Sequence, residues 1–299
     1  MQLPIHSQVR GFFKLEACDV LTGRRRLLAD WFPNLITNGG LDQIGTTDNW
    51  LSGCSVGTGT TTPADTDTHL TALVATSTDI VGTTSSVLDV TPFYGSVVNT
   101  YFFGPGVANG VLAELGVGAS PTALFSHALI LDSGGNPTTV TVSGTETLTV
   151  FYEFRNYPSL TDVTGSIEIS GSSYDYIVRA ANAGAGNWAP SSLGDIGGPV
   201  SVTAFAGDIA AITSAPSGTS ALEDSGADAS YTTGSFANSR SSVFGGASAN
   251  FGGIASLLVP CGQANGAMGQ FQVGFTPALP KTDAQSLTLT VQHAWARGP

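Results

Sequence analysis

The sequence predicts an all-β protein made of β-sandwich-type domains with few short helices. Short runs of β-branched and aromatic residues alternate with small polar ones, and turn residues separate the runs. Glycine is abundant, at 38 of 299 residues, so no apolar stripe of helical period reaches a useful length. Charged residues make up only 11% of the chain, against roughly 25% in an average domain.

Two hairpins and one helix can be placed along the chain. Phe13–Ala17 alternates, LTGR supplies a turn, and Leu27–Phe32 returns, which predicts the first hairpin. The sequence Asn38-Gly39-Gly40 predicts a tight turn or the approach to one short helix over Leu41–Ile44. A second hairpin is predicted with Thr138–Val142 and Leu148–Phe154 as its arms and SGTE near its tip.

The length of the chain and a similarity between two of its segments predict two β domains, over residues 1–160 and 161–299. A chain of 299 residues exceeds the usual ~100–150 residues of one domain. Segments 136–158 and 279–299 share a proline, a polar turn, an alternating Leu/Thr/Val strand, an arginine and a final proline. Each segment is therefore interpreted as the closing strand of a domain, and the second domain is rich in Gly, Ser and Ala.

Charge, hydropathy and cysteine content exclude several classes of protein. A net charge of -12 with only 10 Lys plus Arg argues against a nucleic-acid partner. No apolar run approaches the ~20 residues of a membrane helix, so we expect no membrane insertion, and the N-terminus lacks the pattern of a signal peptide. The three widely spaced cysteines predict free thiols and assembly in a reducing cytosol. The basic run Arg24–Arg26 is interpreted as a solvated hairpin.

The stretch CSVGTGTTTPADTDTHL, residues 54–70, raises the question of a phosphate or metal site. A P-loop requires a lysine and a Rossmann turn requires a following helix, and the stretch has neither. Asp65, Asp67 and His69 alternate and would share a face of an extended segment, which makes them the candidates for a metal site. We favour a structural role, in which Asp65 and Asp67 make Asx-turns or cap the segment that begins at His69 and Leu70, and we predict no metal and no cofactor.

Candidate catalytic groups do not form a recognisable motif. Ser126 and His127 are neighbours in a predicted strand, so their side chains point to opposite faces and cannot act as nucleophile and base. No GxSxG elbow is present. Four carboxylates could meet in the fold as a glycosidase pair, but nothing in the sequence selects them: Glu114, Glu153, Glu168 and Asp175. We therefore predict that the protein is not an enzyme.

Three phrases occur in order between residues 10 and 158: NLITNGGLDQIG, then CSVGTGTTTPADTDTHL, then ELGVGASPTALFSHALILDSGGNPTTVTVSGTETLTVFYEFRNYP. Together they resemble structural proteins of tailed bacteriophage virions, in the tail-associated or fibre-like group. Members of that group carry an N-x-I-T-N-x-G phrase, a V-G-x-G-x-x-x-P phrase, and a G-N-P-x-T-[IV]-T hairpin followed by L-x-V-x-Y-E-[FL]. The resemblance implies a β-rich virion component and supplies no catalytic residues.

The resemblance also implies partners and a location. Such proteins assemble in the bacterial cytoplasm as homo-oligomers, often trimers or hexamers, and contact other virion proteins of the tail or vertex. The chain lacks heptads, collagen-like runs and shaft repeats, which favours a baseplate, collar or short fibre-like part. Residues 1–160 would then be the assembly or attachment module. Residues 161–299 would be the outer or interaction module, with a host surface receptor as a partner and four surface aromatics: Tyr174, Tyr176, Trp188 and Phe236.

Two alternative functions stay open. The first is a capsid decoration or head-fibre protein, which would bind empty capsids. The second is a glycan-binding or glycan-cleaving module, in which changing an acidic or aromatic cluster would abolish saccharide binding or cleavage without disrupting assembly.

Overall fold

The computed structural model describes residues 2–46, 49–183, 198–263 and 266–298, and these residues are nearly all β. The strands of the first half are β1 (Gln2–Asp19), β2 (Arg25–Pro33), β3 (Leu35–Ile36), β4 (Gly53–Gly57), β5 (Leu73–Ser77), β6 (Ile80–Leu88), β7 (Tyr94–Phe103), β8 (Gly110–Leu112), β9 (Glu114–Ser120), β10 (Ala123–Leu129), β11 (Val140–Val142) and β12 (Glu146–Pro158). Those of the second half are β13 (Val163–Ile169), β14 (Ser172–Ala180), β15 (Thr203–Phe205), β16 (Ser220–Leu222), β17 (Ser225–Asp228), β18 (Ala237–Phe244), β19 (Ile254–Gln263), β20 (Gly266–Leu279) and β21 (Leu287–Arg297). Among all the residues that the structure describes there is one helix, α1 (Asn38–Ile44), which lies in the first half. The prediction of an all-β fold is confirmed.

The chain divides into two compact units that are not continuous in sequence. Unit N contains Val9–Ser85 and Ser96–Arg155, and unit C contains Met1–Gln8, Ser86–Gly95 and Asn156–Gly298. The change at residue 155 lies near the expected boundary at 160. A single cut nevertheless fails to describe the units, because β1 lies next to β21, which is far away in sequence, and the first residues of β1 belong to unit C.

Unit N contains two large sheets whose inner faces share an aromatic core, and a two-stranded sheet of β8 and β11. In one sheet β2 pairs with β1, and β12, β7 and β6 follow; the other sheet has the order β3-β10-β9-β4-β5. The ring of Trp50 lies 4.4 Å from that of Phe125 on β10 and 4.9 Å from that of Phe154 on β12. Because these rings belong to both sheets and are fully buried, they form the packed layer of a sandwich.

The predicted first hairpin is confirmed. Of the two alternatives at Asn38-Gly39-Gly40, the short helix is the one observed, and it begins at Asn38 rather than at Leu41. β1 alternates buried and partly exposed residues along almost its whole length, and its register with β2 places Phe13 opposite Phe32. Helix α1 begins after Thr37, whose buried hydroxyl accepts a hydrogen bond from the Gly40 amide at 2.8 Å. That hydroxyl satisfies one of the free amides of the first helical turn.

The second predicted hairpin is wrong. β11 pairs with β8, with Val140 opposite Leu112, whereas β12 lies between β1 and β7 in the large sheet. The turn between β11 and β12 is real, since the Ser143 amide donates to the Glu146 carboxylate at 2.8 Å. The two arms therefore separate after the turn and enter different sheets.

Unit C is also a sandwich. Its six-stranded sheet has the order β13-β14-β20-β19-β15-β16. Its other sheet has the order β17-β18-β21, and β1 is the next strand after β21. Buried side chains of both sheets meet in one cluster, which includes Phe271 and Val273 on β20, Leu289 and Val291 on β21, and Ile5 on β1. In the part of the chain that the structure describes, no helix has the length and apolar character needed to cross a bilayer.

Candidate functional site

The most concentrated set of titratable side chains in unit N lies on the antiparallel pair β9–β10. The register sets His127 opposite Gly116 and Leu129 opposite Glu114, so Glu114 and His127 are diagonal neighbours on one face of the sheet. The His127 Nε2 atom lies 3.0 Å from the Glu114 Oε2 atom. Both side chains are buried, with exposures of 1% and 0%.

The glycine-rich loop after β4 wraps around the carboxylate of Glu114. The backbone amides of Gly59, Thr71 and Ala72 donate to it at 3.1, 3.1 and 2.7 Å. A β-carbon at Gly57 or Gly59 would collide with the same carboxylate, which explains the glycines of VGTG. The stretch that resembles a phosphate loop in composition therefore binds an anion that belongs to the protein.

Asp67 completes the network from within this loop. Its Oδ2 atom lies 2.7 Å from His127 Nδ1 and also accepts the Ala64 amide at 2.8 Å. The His127 ring therefore lies between two carboxylates, with one at each ring nitrogen.

The local hydrogen bonds favour the ionised form of both acids. Burial by itself raises the pKa of Glu114, but the Ala72 and Thr71 amides and the His127 ring outweigh it and lower the pKa below its usual value. For Asp67, burial likewise raises the pKa, and the Ala64 amide and His127 lower it to a greater extent. The two carboxylates of this set, named here the Asp67–His127–Glu114 network, are therefore both ionised at neutral pH.

The geometry of this network is suited to holding a loop rather than to turning over a substrate. Each of the two ring nitrogens is occupied by a carboxylate, and only Asp67, with a side-chain exposure of 27%, reaches the surface. Ser126 lies on the opposite face of β10 beside the buried Tyr152 hydroxyl, as the strand periodicity predicts. It cannot receive a proton relay from His127.

The predicted metal candidates do not converge. The ring of His69 contacts the hydroxyl of its neighbour Thr68 at 3.0 Å, and the backbone carbonyl of Asp65 accepts the Asn38 amide. Only Asp67 joins the network. The backbone amide that its side chain accepts belongs to Ala64, three residues before it, and not to a following residue as in an Asx-turn. Among the described residues, no three or more His, Cys, Asp or Glu side chains are arranged to hold a metal ion.

The other carboxylates considered for catalysis lie apart from the network. Glu153 pairs with Arg155 at 2.7 Å on β12. Glu168 and Asp175 lie on the adjacent strands β13 and β14 of unit C, with Asp175 opposite Ser166 and Glu168 opposite Ser173. None of these three carboxylates pairs with Glu114, whose side-chain neighbour is the histidine His127.

The four aromatics expected on the surface of the second domain have different environments. Tyr174 is 8% exposed and belongs to the core of unit C, so the prediction of a surface position is wrong for it. The alternation of β14 explains the error, because Tyr174, Tyr176 and Val178 share the inner face. Tyr176 is half-buried, with its ring over Gly165, and Phe236 is half-buried with a φ of 48°. Trp188 lies outside the described residues.

A second feature of unit N is an outward face on β1, β2 and β12 where aromatic rings and cations alternate. The Arg155 guanidinium lies 4.5 Å from the centre of the Phe12 ring, and the Lys14 ammonium lies 5.1 Å from that of Phe151. Trp31, which is 43% exposed, meets Phe151 edge-on at 6.4 Å. This group of five side chains is named the aromatic–cation face.

Sequence reasoning considered Glu114 and His127 separately and did not pair them. The available signal was the turn Ser120–Ala123, since a hairpin folded there brings the two residues close together. The register, however, shifts at Leu124, and such a bulge cannot be deduced from residue types.

No protein-family model, curated protein or solved structure matches this chain. The function must therefore be argued from its own residues.

Proposed function

We propose that this chain is a structural component of a tailed-phage virion, a compact tail, baseplate, collar or short fibre-like part that acts through homo-oligomeric assembly. The class of protein is proposed because three phrases of the sequence resemble proteins of that group. The observation that carries the proposal is that the three phrases contact one another in unit N. The Asp67–His127–Glu114 network joins the second phrase to the third, and Thr37 joins the first to the third.

Each of the three phrases contributes to the same part of unit N. Thr37 of the first phrase donates from its hydroxyl to the Leu124 carbonyl of the third at 2.8 Å. Asp67 of the second phrase binds His127 of the third. The polar residues of the phrases are therefore used to fix a loop and a helix on a sheet, which supports a rigid assembly module.

The aromatic–cation face supports the same function. Trp, aromatic and Arg side chains dominate the energetics of protein interfaces, and Trp31 presents a large apolar ring to solvent. The low charge of the chain, 11% Asp, Glu, Lys and Arg, also suits a protein that buries much surface against copies or partners.

The test is the absolute mass of the purified full-length chain by light scattering over a wide concentration range, repeated after mixing with host cells and with their isolated glycans. A stable oligomer at a whole-number multiple of 30.4 kDa is the expected result, and co-sedimentation with cells would add receptor binding. A strict monomer that cleaves or binds saccharide would overturn the proposal in favour of a glycan-active module.

A further inference from the structure

Strand β6 has the features of an edge that pairs with another chain. In the described part of the structure it is the last strand of its sheet. Its nine residues, IVGTTSSVL, include no charged residue and no proline. Natural edge strands are commonly protected from association by lysine or proline, and β6 carries neither.

The middle of β6 is exposed to solvent on both faces, whereas its end at Val87 packs against the core of unit C. Residues 83–86 are exposed one after another, and successive residues of a strand point to opposite faces. Val81 is 57% exposed although it is apolar. A new strand beside this edge would therefore bury apolar surface that is now in contact with water.

The sequence of β6 is complementary to itself when two copies run antiparallel. Around Thr84 as the centre, apolar residues meet apolar residues at both ends and small residues meet small residues in the middle. Pairs of β-branched residues and Thr–Thr or Thr–Ser pairs are favourable neighbours across antiparallel strands. The resulting pairs are Ile80 with Leu88, Val81 with Val87, Gly82 with Ser86, Thr83 with Ser85, and Thr84 with Thr84.

We propose that two copies of this chain join edge to edge through β6, antiparallel, with Thr84 on the two-fold axis. The pairing adds roughly eight to ten main-chain hydrogen bonds and is isologous, so the same surface serves both copies. This inference rests on the proposed oligomeric function and narrows it. A two-fold contact is compatible with a dimer or with a hexamer of two-fold symmetry, and it is incompatible with a simple trimer.

Charge at the ends of β6 gives the pairing a salt dependence. In this register Asp79 of one copy opposes Asp89 of the other, and both residues flank the uncharged strand. Like charges that face each other across a strand pair are unfavourable, and salt screens them. Association is therefore expected to strengthen as NaCl is raised, the opposite of an interface held by ion pairs.

Disulfide trapping in the full-length chain tests the register directly. In an antiparallel pair, opposed Cα atoms lie about 4.5 or 5.5 Å apart, within the ~4.4–6.8 Å range of disulfides. The variant Thr84→Cys is therefore expected to form a covalent dimer on mild oxidation. Thr83→Cys and Ser85→Cys are matched controls that do not crosslink alone, because neither residue meets itself, but that crosslink when mixed with each other.

A second variant measures the non-covalent contact. Thr84→Lys places two ammonium groups against each other on the axis and is expected to lower the dimer affinity at least tenfold, whereas Thr61→Lys, on an exposed loop threonine, leaves it unchanged. An oligomer in which Thr84→Cys crosslinks no better than its controls, or one that is only trimeric, would overturn the β6 contact and leave the proposed function standing. A wild-type chain that is monomeric at every concentration would overturn both.

Discussion

Glu114 Oε2 and His127 Nε2 lie 3.0 Å apart in the interior of unit N, and this contact connects two strands to a loop. Glu114 also holds the Gly59, Thr71 and Ala72 amides, and His127 holds Asp67 of the same loop. The order of the loop therefore depends on the charge of one buried carboxylate.

Replacing that carboxylate should loosen the loop. Glu114→Gln puts an amide NH₂ where an acceptor is needed and leaves buried donors unpaired, so we expect a loss of about 2–4 kcal/mol in the free energy of unfolding. Urea unfolding measures the loss, and hydrogen exchange should show faster exchange of the loop amides at 58–72. Glu168→Gln, on an exposed acid of β13, is the control. Equal stability of the two variants would contradict a structural role for the network.

Acid should weaken the protein through the pair Arg26–Glu146. Hydrogen bonds from Arg26 and from the Ser143 amide lower the pKa of Glu146 from 4.5 to about 2. A folded-state pKa below the unfolded value means that the unfolded chain binds more protons in this window. The stabilisation is therefore complete above about pH 4.5 and is lost as the pH falls to about 2.

The urea midpoint between about pH 6 and pH 2 measures this effect. Arg26→Gln should have a shallower pH dependence over the acid range than the wild type, because the donor that lowers the pKa of Glu146 is gone. Arg25→Gln makes the same change of charge on the exposed neighbouring residue and should keep the wild-type slope. Identical slopes for the two variants would show that the ion pair is not the cause.

Two adjacent glycines of helix α1 should respond in opposite ways to alanine. A β-carbon on Gly40 would overlap the Phe125 carbonyl of β10, whereas one on Gly39 would lie 3.8 Å from its nearest neighbour. Gly40→Ala is therefore expected to cost at least about 3 kcal/mol. Gly39→Ala should be neutral or stabilise by up to ~1 kcal/mol through helix propensity. Thermal unfolding of both variants decides the matter, and a tolerated alanine at Gly40 would contradict the close packing of α1 on β10.

The hydroxyl of Thr37 should contribute more to the stability of the folded protein than its methyl group does. It accepts from the Gly40 amide and donates to the Leu124 carbonyl, both at 2.8 Å, in a fully buried site. Thr37→Ala is expected to lose about 1–2 kcal/mol of stability. Thr37→Ser keeps the oxygen and should recover most of it in chemical denaturation, and a serine variant as unstable as the alanine variant would assign the loss to packing instead.

Local patterns were sufficient for the elements whose structure depends on nearby residues. The alternation of β1 and the turn between β1 and β2 could be predicted, since period and turn chemistry act over a few residues. A short helix near Leu41–Ile44 was one of two alternatives, and its start after Thr37 was not predicted. The two-residue period of a strand also predicted that the side chains of Ser126 and His127 point to opposite faces of the sheet. The burial of Tyr174 could not be predicted, because alternation identifies which residues share a face and does not identify the face that is covered.

Residue types and their local order are sufficient to identify a charge-poor all-β chain with free cysteines and a glycine-rich loop that lacks the residues of a nucleotide site. The three-dimensional fold is needed to show that β11 pairs with β8, that Glu114 and His127 meet across a bulged strand pair, and that the loop closes on them through Asp67. His127 and Asp67 are 60 residues apart. Contacts of this kind depend on strand order and register, which arise from the packing of the whole unit and leave no periodic signal in the chain.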